Sequence, residues 1–274
     1  MTSRANLKKK ALWHAKDLLQ LGLPYQAKHL HRRDEREFRV RIKGVGDVVL
    51  RPGTGDAAIV SQVFSWRQYD TSGFPQHARL TQAYDDILAR RHTPLILDLG
   101  ANNGMSARWF TREYPQARIV AVEPDGGNAR MCRLNTDGYP VDVITAAIGG
   151  TPGHVTLLTA SMGTVSYITT RTGEGKTPVV TVSQILADRP DHELFIVKVD
   201  IEGFEDDLFA TGTEWVEQAH AIMIELHDFK FPDRDTSRHL QETMARLHFQ
   251  MLLSGENVIY VRHDTVHSAR TQNC

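Results

Sequence analysis

The sequence predicts an α/β protein: a doubly wound, mostly parallel sheet with helices on both faces, preceded by an N-terminal helical/β-hairpin cap. From residue 76 onward, short apolar runs alternate with helix-patterned segments, the signature of such a sheet. Leu95, Ile96, Leu97 and Leu99 form a nearly continuous apolar run, as in a strand covered on both faces. After that run come a glycine turn, a helical stretch over residues 103–114 and a second apolar run over 119–122. Strand, turn, helix and strand in that order form a parallel βαβ unit.

Taken in order, residues 1 to about 43 are basic, and Leu7, Leu12, Trp13, Leu18 and Leu19 give part of the stretch a helical stripe. Two readings stay open for it. It is a helix that docks an anionic partner or substrate, or a solvated helix packed on the main domain as a lid or as the arm of a homodimer. Residues 38–42 and 48–50 read as a small hairpin around Gly44 and Gly46. Asp56 is then placed to cap a helix over 57–64. A Gly/Pro-bearing loop at 72–75 precedes a helix over 76–91, so the expected division is a cap, 1–75, and a main domain, 76–274. Beyond residue 123 the pattern predicts a helix over 127–135 and strands over 141–148, 155–158 and 179–182. Residues 161–176, rich in Gly, Ser and Thr, read as a loop. A strand over 194–199, a strand-like run over 221–228, a helix over 236–247 and two last strands, 251–253 and 257–261, complete the chain.

The 274 residues are 41% hydrophobic and 24% charged, ordinary for a soluble globular protein. A net charge of −1 gives no overall attraction to nucleic acid or an anionic membrane. No apolar run reaches membrane-spanning length and the start lacks a signal-peptide core. Only Cys132 and Cys274 are present, which argues against a disulfide framework and fits a reducing cytoplasm.

The turn after the first core strand carries the chemistry. Gly100 permits a sharp bend and close approach of a ligand to the backbone. Amides at the start of the next helix point back over that turn. Glu123, at the tip of the second strand, is placed to accept both hydroxyls of a ribose. The dinucleotide fingerprint G-x-G-x-x-G is absent, and Asp98 is wrong for a pyrophosphate but suits a ligand ammonium. Those features favour S-adenosyl-L-methionine over NAD. Thr145, Ala146 and Ala147 are small enough for a purine to lie against that strand tip, or for helix packing.

A second polar group sits on the later strands. Lys198 and Asp200 share a face, as do Glu225 and His227, because side chains two apart on a strand point the same way. If the two strands are neighbours, all four groups meet at one sheet edge. A buried Lys198–Glu225 ion pair is the structural alternative. His227, with an ordinary pKa of roughly 6.5, is the preferred general base, oriented by Asp200 or Glu225. Asp200, Glu225 and His227 are equally candidates for a divalent metal. Trp66, Tyr69, Phe229 and Phe231 are candidate apolar walls for an acceptor, with the 161–176 loop, the cap and residues 228–235 around it.

With these residues in place, the chain resembles the FkbM family of S-adenosylmethionine-dependent methyltransferases. The matching segments are LDLGANNG with Ser106, VEP with Asn128 four residues after Pro124, VKVDIEGFE and IELH, and RPGTGDAAIVSQVF resembles the segment that often precedes them. Asn103 stands where the family more often has an aliphatic residue. The resemblance implies a class I, Rossmann-like methyltransferase fold and methyl transfer to a hydroxyl, commonly of a natural product or sugar. It implies a cofactor site from Asp98, Gly100, Asn102, Gly104 and Glu123, with Ser106, Pro124, Asn128 and Ala147 beside them. It places Asp200, Glu202 and His227 beside the acceptor. The rival readings are a non-catalytic protein of the same fold, an NAD-dependent oxidoreductase and an RNA methyltransferase; the basic arm lacks the interleaved aromatics of a base-stacking surface.

Overall fold

Seven strands form the central sheet of the computed structural model, which describes residues 14–25, 37–159, 167–171 and 174–263. A hairpin comes first, β1 (Phe38–Ile42) with β2 (Gly46–Leu50). The sheet then takes β3 (Thr93–Leu99), β4 (Arg118–Val122) and β5 (Val141–Ile144). Four short strands follow as β6 (Ala147–Ile148), β7 (Gly153–Thr159), β8 (Tyr167–Thr170) and β9 (Thr177–Val180). The sheet resumes with β10 (His192–Val199), β11 (Ala221–Glu225), β12 (Phe249–Ser254) and β13 (Asn257–Arg262). Its order is β12-β13-β11-β10-β3-β4-β5, and β13 alone runs against its neighbours. This is the doubly wound sheet expected of a Rossmann-like methyltransferase fold. From β3 the chain winds outward through β4 to β5, then returns to wind the other way through β10 and β11. The switch point therefore lies between the ends of β3 and β10, where open sheets bind ligands.

Both faces of the sheet are buried. Ile96, Ile119, Phe195 and Met223 face one core, which includes Val40, Leu50 and Val63 of the cap. Leu97, Val120, Val197 and Ile222 face the other. The hairpin is tied down by polar contacts. The buried Asn135 side chain accepts from the Val49 amide at 2.7 Å and donates to the Val49 carbonyl at 3.0 Å. The Arg108 guanidinium donates to the carbonyls of Val45, Asp47 and Asn135.

Three local expectations are corrected. Asp56 does not cap its helix; it is fully buried and takes the Arg51 amide and guanidinium, and Asp56–Val60 continues into a π-turn over Ser61–Ser65. The single strand over 141–148 breaks at Thr145, and its halves join different sheets, β5 the central one and β6 the small sheet β6-β9-β7-β8. The 161–176 stretch contains a strand, β8, rather than a loop throughout; residues 161–166 and 172–173 of it lie outside the described residues. Most of the basic arm, residues 1–13 and 26–36, and Cys274 also lie outside them. Cys132 is free and buried. Among the described residues no helix is long and apolar enough to cross a membrane.

Candidate functional site

The turns that follow β3 and β10 lie against each other. Gly100 has φ 82°, and a Cβ there would stand 1.8 Å from the Asp200 carbonyl oxygen, so the approach requires glycine. Asn102 and Glu202 hold left-handed backbone at φ 47° and 55°, an unfavourable state for residues with a Cβ that commonly marks a ligand site.

Beneath these turns sits an ion pair. Asp98 and Lys198 are direct partners in the β3–β10 register, with Lys198 Nζ 3.3 Å from Asp98 Oδ1. Ser106 donates to the other Asp98 oxygen at 2.5 Å, and Lys198 donates to the Gly100 carbonyl at 2.6 Å. Burial alone would lower the lysine; Asp98, then Tyr69 and Asp200, outweigh it and hold the ammonium above the ordinary lysine range. Asp98 is fully buried and lines neither cleft, and its ammonium partner is this chain's own Lys198. That differs from the expected role at a ligand ammonium, and it also removes the alternative Lys198–Glu225 pair. The register sets Lys198 opposite Met223 on β11, with Glu225 two residues further along.

Two clefts open at the switch point. The first, about 550 Å³ with its open mouth, is lined by Gly100, Asn102, Glu123, Pro124, Asn128 and Ala147. Glu123 accepts the Asn102 amide at 2.9 Å, the Asp125 amide at 3.0 Å and Asn128 Nδ2 at 3.3 Å; burial nevertheless pushes it up to about 7. The buried Oδ1 atoms of Asn102 and Asn128 have no hydrogen-bond partner among the described residues. Unmet acceptors and a glutamate at the strand tip fit a ligand rich in hydroxyl and amine donors. Thr169 of β8 and Phe204 also line this cleft, and both went unread in the sequence. Gly104 stays behind the turn, its Cα hydrogens against Cys132, and serves the turn rather than the cleft.

The second cleft, about 1130 Å³ with its open mouth, lies between the sheet edge and the cap. Ala58, Gln62 and Val63 of the cap helix form one wall, Tyr69 and Phe229 supply aromatic surface, and Ser106 and Lys198 contribute at its floor. Trp66 lies elsewhere, under the Lys16 ammonium, and Phe231 packs against Gly203. Gly100, Asn102, Asp200 and Glu202 line both clefts, and Glu225 lines the second.

His227 joins this cluster from behind. Its side chain is fully buried and lines neither cleft, which corrects the expectation that it meets the acceptor as a base. Nδ1 is 2.8 Å from Glu205 Oε1, while Nε2 points among Asp200, Glu202 and Glu225 at 3.6–3.8 Å. Burial would lower the imidazole pKa; Glu205, then Asp200 and Glu202, outweigh it and raise it. Glu205, equally buried, is the partner that sequence spacing did not single out.

With this geometry in view, the methyltransferase FkbM domain is the family whose model matches, over residues 98–251. The chain belongs to the methyltransferase FkbM domain family. The matched span takes in both turns, Glu123 and the whole Asp200–His227 cluster. The chain is 42% identical over 48 residues to the 2-O-methyltransferase NoeI of Sinorhizobium fredii (strain NBRC 101917 / NGR234), a match covering 18% of this chain and 20% of that protein. Among solved structures, the S-adenosylhomocysteine-bound Podospora anserina methyltransferase PaMTH1 aligns over 96% of this chain and 97% of its own, at 12% identity and TM-score 0.42. The plantazolicin methyltransferase BpumL with S-adenosylhomocysteine aligns over 80% of this chain and 60% of its own, at 10% identity and TM-score 0.27.

Proposed function

We propose that this FkbM-family methyltransferase uses S-adenosyl-L-methionine to methylate a hydroxyl of a small molecule, natural product or sugar. The observation that carries the reading is the shared wall: Gly100, Asn102, Asp200 and Glu202 belong to both clefts, so a cofactor in one meets an acceptor in the other at a pair of carboxylates. The identity with a 2-O-methyltransferase supports oxygen as the acceptor atom. The cofactor supplies a methyl on a cationic sulfur; the acceptor oxygen bonds to that carbon as the carbon–sulfur bond breaks, its electron pair staying on sulfur.

The residues divide the remaining work. Glu123 accepts the ribose hydroxyls, and the free Asn102 and Asn128 oxygens take further donors. Glu225, facing the acceptor cleft, receives the hydroxyl proton, help typically worth about 10²–10⁴-fold. Holding oxygen, carbon and sulfur in line can lower such a barrier by about 7–11 kcal/mol at best. Incubation with S-adenosylmethionine and a panel of hydroxylated acceptors should release S-adenosylhomocysteine together with an O-methylated product seen by mass spectrometry. Methylation confined to nitrogen, or calorimetric binding of NAD in place of S-adenosylhomocysteine, would overturn the reading.

Glu123 gives this binding a pH dependence. Its folded carboxyl keeps its proton to about pH 7, against 4.5 for the ordinary group, so the empty fold loses stability as pH rises through that window. Ribose hydroxyls donate to the ionised form, so ligand affinity moves the opposite way. One pH unit below that midpoint, S-adenosylhomocysteine should bind about tenfold more weakly than above it. Calorimetry across pH 5.5 to 8.5 (about three units) reads this directly. Glu123→Gln should flatten the profile, and a profile unchanged in the variant would assign the dependence elsewhere.

A further inference from the structure

We propose that Asp200, Glu202 and His227 bind one divalent cation of the Mn²⁺/Mg²⁺ class at the rim the two clefts share. The site stands on geometry; the catalytic role given to the ion below rests on the methyl-transfer reading.

One ligand atom from each of the three residues lies within 4.8 Å of the others. Adjacent ligands of an octahedral ion with bonds of about 2.1 Å stand roughly 3.0 Å apart and opposite ones roughly 4.2 Å, so side-chain shifts that close the gaps by up to about an ångström complete the set. Carboxylates alone would not make the case; the imidazole does. The His227 side chain is 0% exposed, and its Nε2 has no hydrogen-bond partner among the described residues. Glu205, also buried, accepts from Nδ1–H at 2.8 Å, so the neutral imidazole, the form that binds a cation, presents its lone pair at Nε2. That lone pair faces Asp200 Oδ1 at 3.8 Å, Glu202 Oε2 at 3.6 Å and Glu225 Oε1 at 3.6 Å. These distances exceed hydrogen-bond reach, so a proton on Nε2 would serve none of the oxygens well. A cation between them converts every repulsion into a bond. Carboxylate, histidine and metal in line is the usual way a protein fixes a ligating imidazole.

The charge balance points the same way. Lys198 stands 3.7 Å from Asp200 but is committed to Asp98 and the Gly100 carbonyl. Lys230 touches Glu202 Oε2 at 2.6 Å, and being 38% exposed it can swing out as an ion enters. Asp200, Glu202, Glu205 and Glu225 otherwise face each other with little compensation. Oxygen donors with a single imidazole and no thiolate suit Mn²⁺ or Mg²⁺. An ion there would draw the acceptor hydroxyl toward the cofactor cleft and ease loss of its proton to Glu225. The bond balance is unchanged: oxygen–carbon forms and carbon–sulfur breaks.

The test uses the full chain, stripped with a chelator and titrated with MnCl₂ while the free-ion EPR signal is followed. One ion should bind per chain. Asp200→Asn and Glu202→Gln should each weaken it at least about tenfold, and Glu205→Gln, a positioning change acting through the imidazole and the Gly203 amide, by about 10–100-fold. Lys230→Gln, which removes the competing ammonium, should tighten binding, a gain that misfolding cannot imitate. Glu242→Gln, an exposed carboxylate outside the cluster, should change nothing. Calorimetry with S-adenosylhomocysteine on the same samples separates the two proposals. Ligand binding while Mn²⁺ stays free, or Mn²⁺ binding indifferent to Asp200→Asn, Glu202→Gln and Lys230→Gln, overturns the cation site. Mn²⁺ binding lost in Asp200→Asn, with no ligand heat in the parent chain, supports the site and sinks the methyl-transfer reading.

Discussion

Asp98→Ala should cost the fold about 3–5 kcal/mol, the usual loss when one partner of a buried ion pair is removed. Lys198 is 2% exposed, and the little of it that reaches the floor of the second cleft is too small for water to replace the carboxylate. Its remaining contacts, the Gly100 carbonyl at 2.6 Å, the Leu99 carbonyl at 3.4 Å and Asp200 at 3.7 Å, supply no full counter-charge at bonding distance. The Ser106 hydroxyl loses its acceptor as well. Urea unfolding followed by tryptophan fluorescence reads the loss as a lower midpoint. A second measurement separates the pair from the cavity left behind. Asp98→Leu combined with Lys198→Met should recover much of the stability, because an apolar pair of similar volume needs no desolvated charge. A loss below about 1 kcal/mol in Asp98→Ala would mean the pair behaves like a surface contact and does not anchor β3 to β10.

That pair marks where the sequence stops being informative. The alternation of strands and helices, the glycine turn and Glu123 at the tip of β4 are local patterns, and each is where the pattern put it. Asp98 was legible as a charge in an apolar strand, but whether it meets a ligand or a lysine depends on register between β3 and β10, some hundred residues apart. Glu225 and His227 were paired by the period-two rule, which lapses at the end of a strand. β11 stops at Glu225, and the chain turns His227 inward to Glu205. The break at Thr145 was hidden because an apolar run looks alike whether it stays in one sheet or passes to another. Thr169 was hidden for a related reason. Its strand is a short polar edge, paired only with β7, and carries little of the apolar alternation by which strands are read.

Gly100→Ala should reduce both S-adenosylhomocysteine affinity and turnover by about 100-fold, the scale set by a 1 Å misplacement in a reacting site. The added Cβ would begin 1.8 Å from the Asp200 carbonyl oxygen, where contacts below 3.0 Å are essentially never seen. One of the two turns must therefore retreat by more than an ångström. A left-handed φ of 82° adds about 1–2 kcal/mol of backbone strain for any residue with a Cβ. Relaxation is blocked from both sides. The Gly100 amide is held by the Val122 carbonyl at 2.9 Å, and the Asp200 amide by the Leu99 carbonyl at 3.0 Å. The displacement falls on Asp200 and Asn102, which belong to both clefts, so cofactor binding and methyl transfer fail together. Gly126→Ala is the matched control, since a Cβ there meets nothing within 4 Å and its φ is ordinary. Near-parental affinity in Gly100→Ala would show that the two turns can separate without harm, and that the first cleft does not depend on their contact.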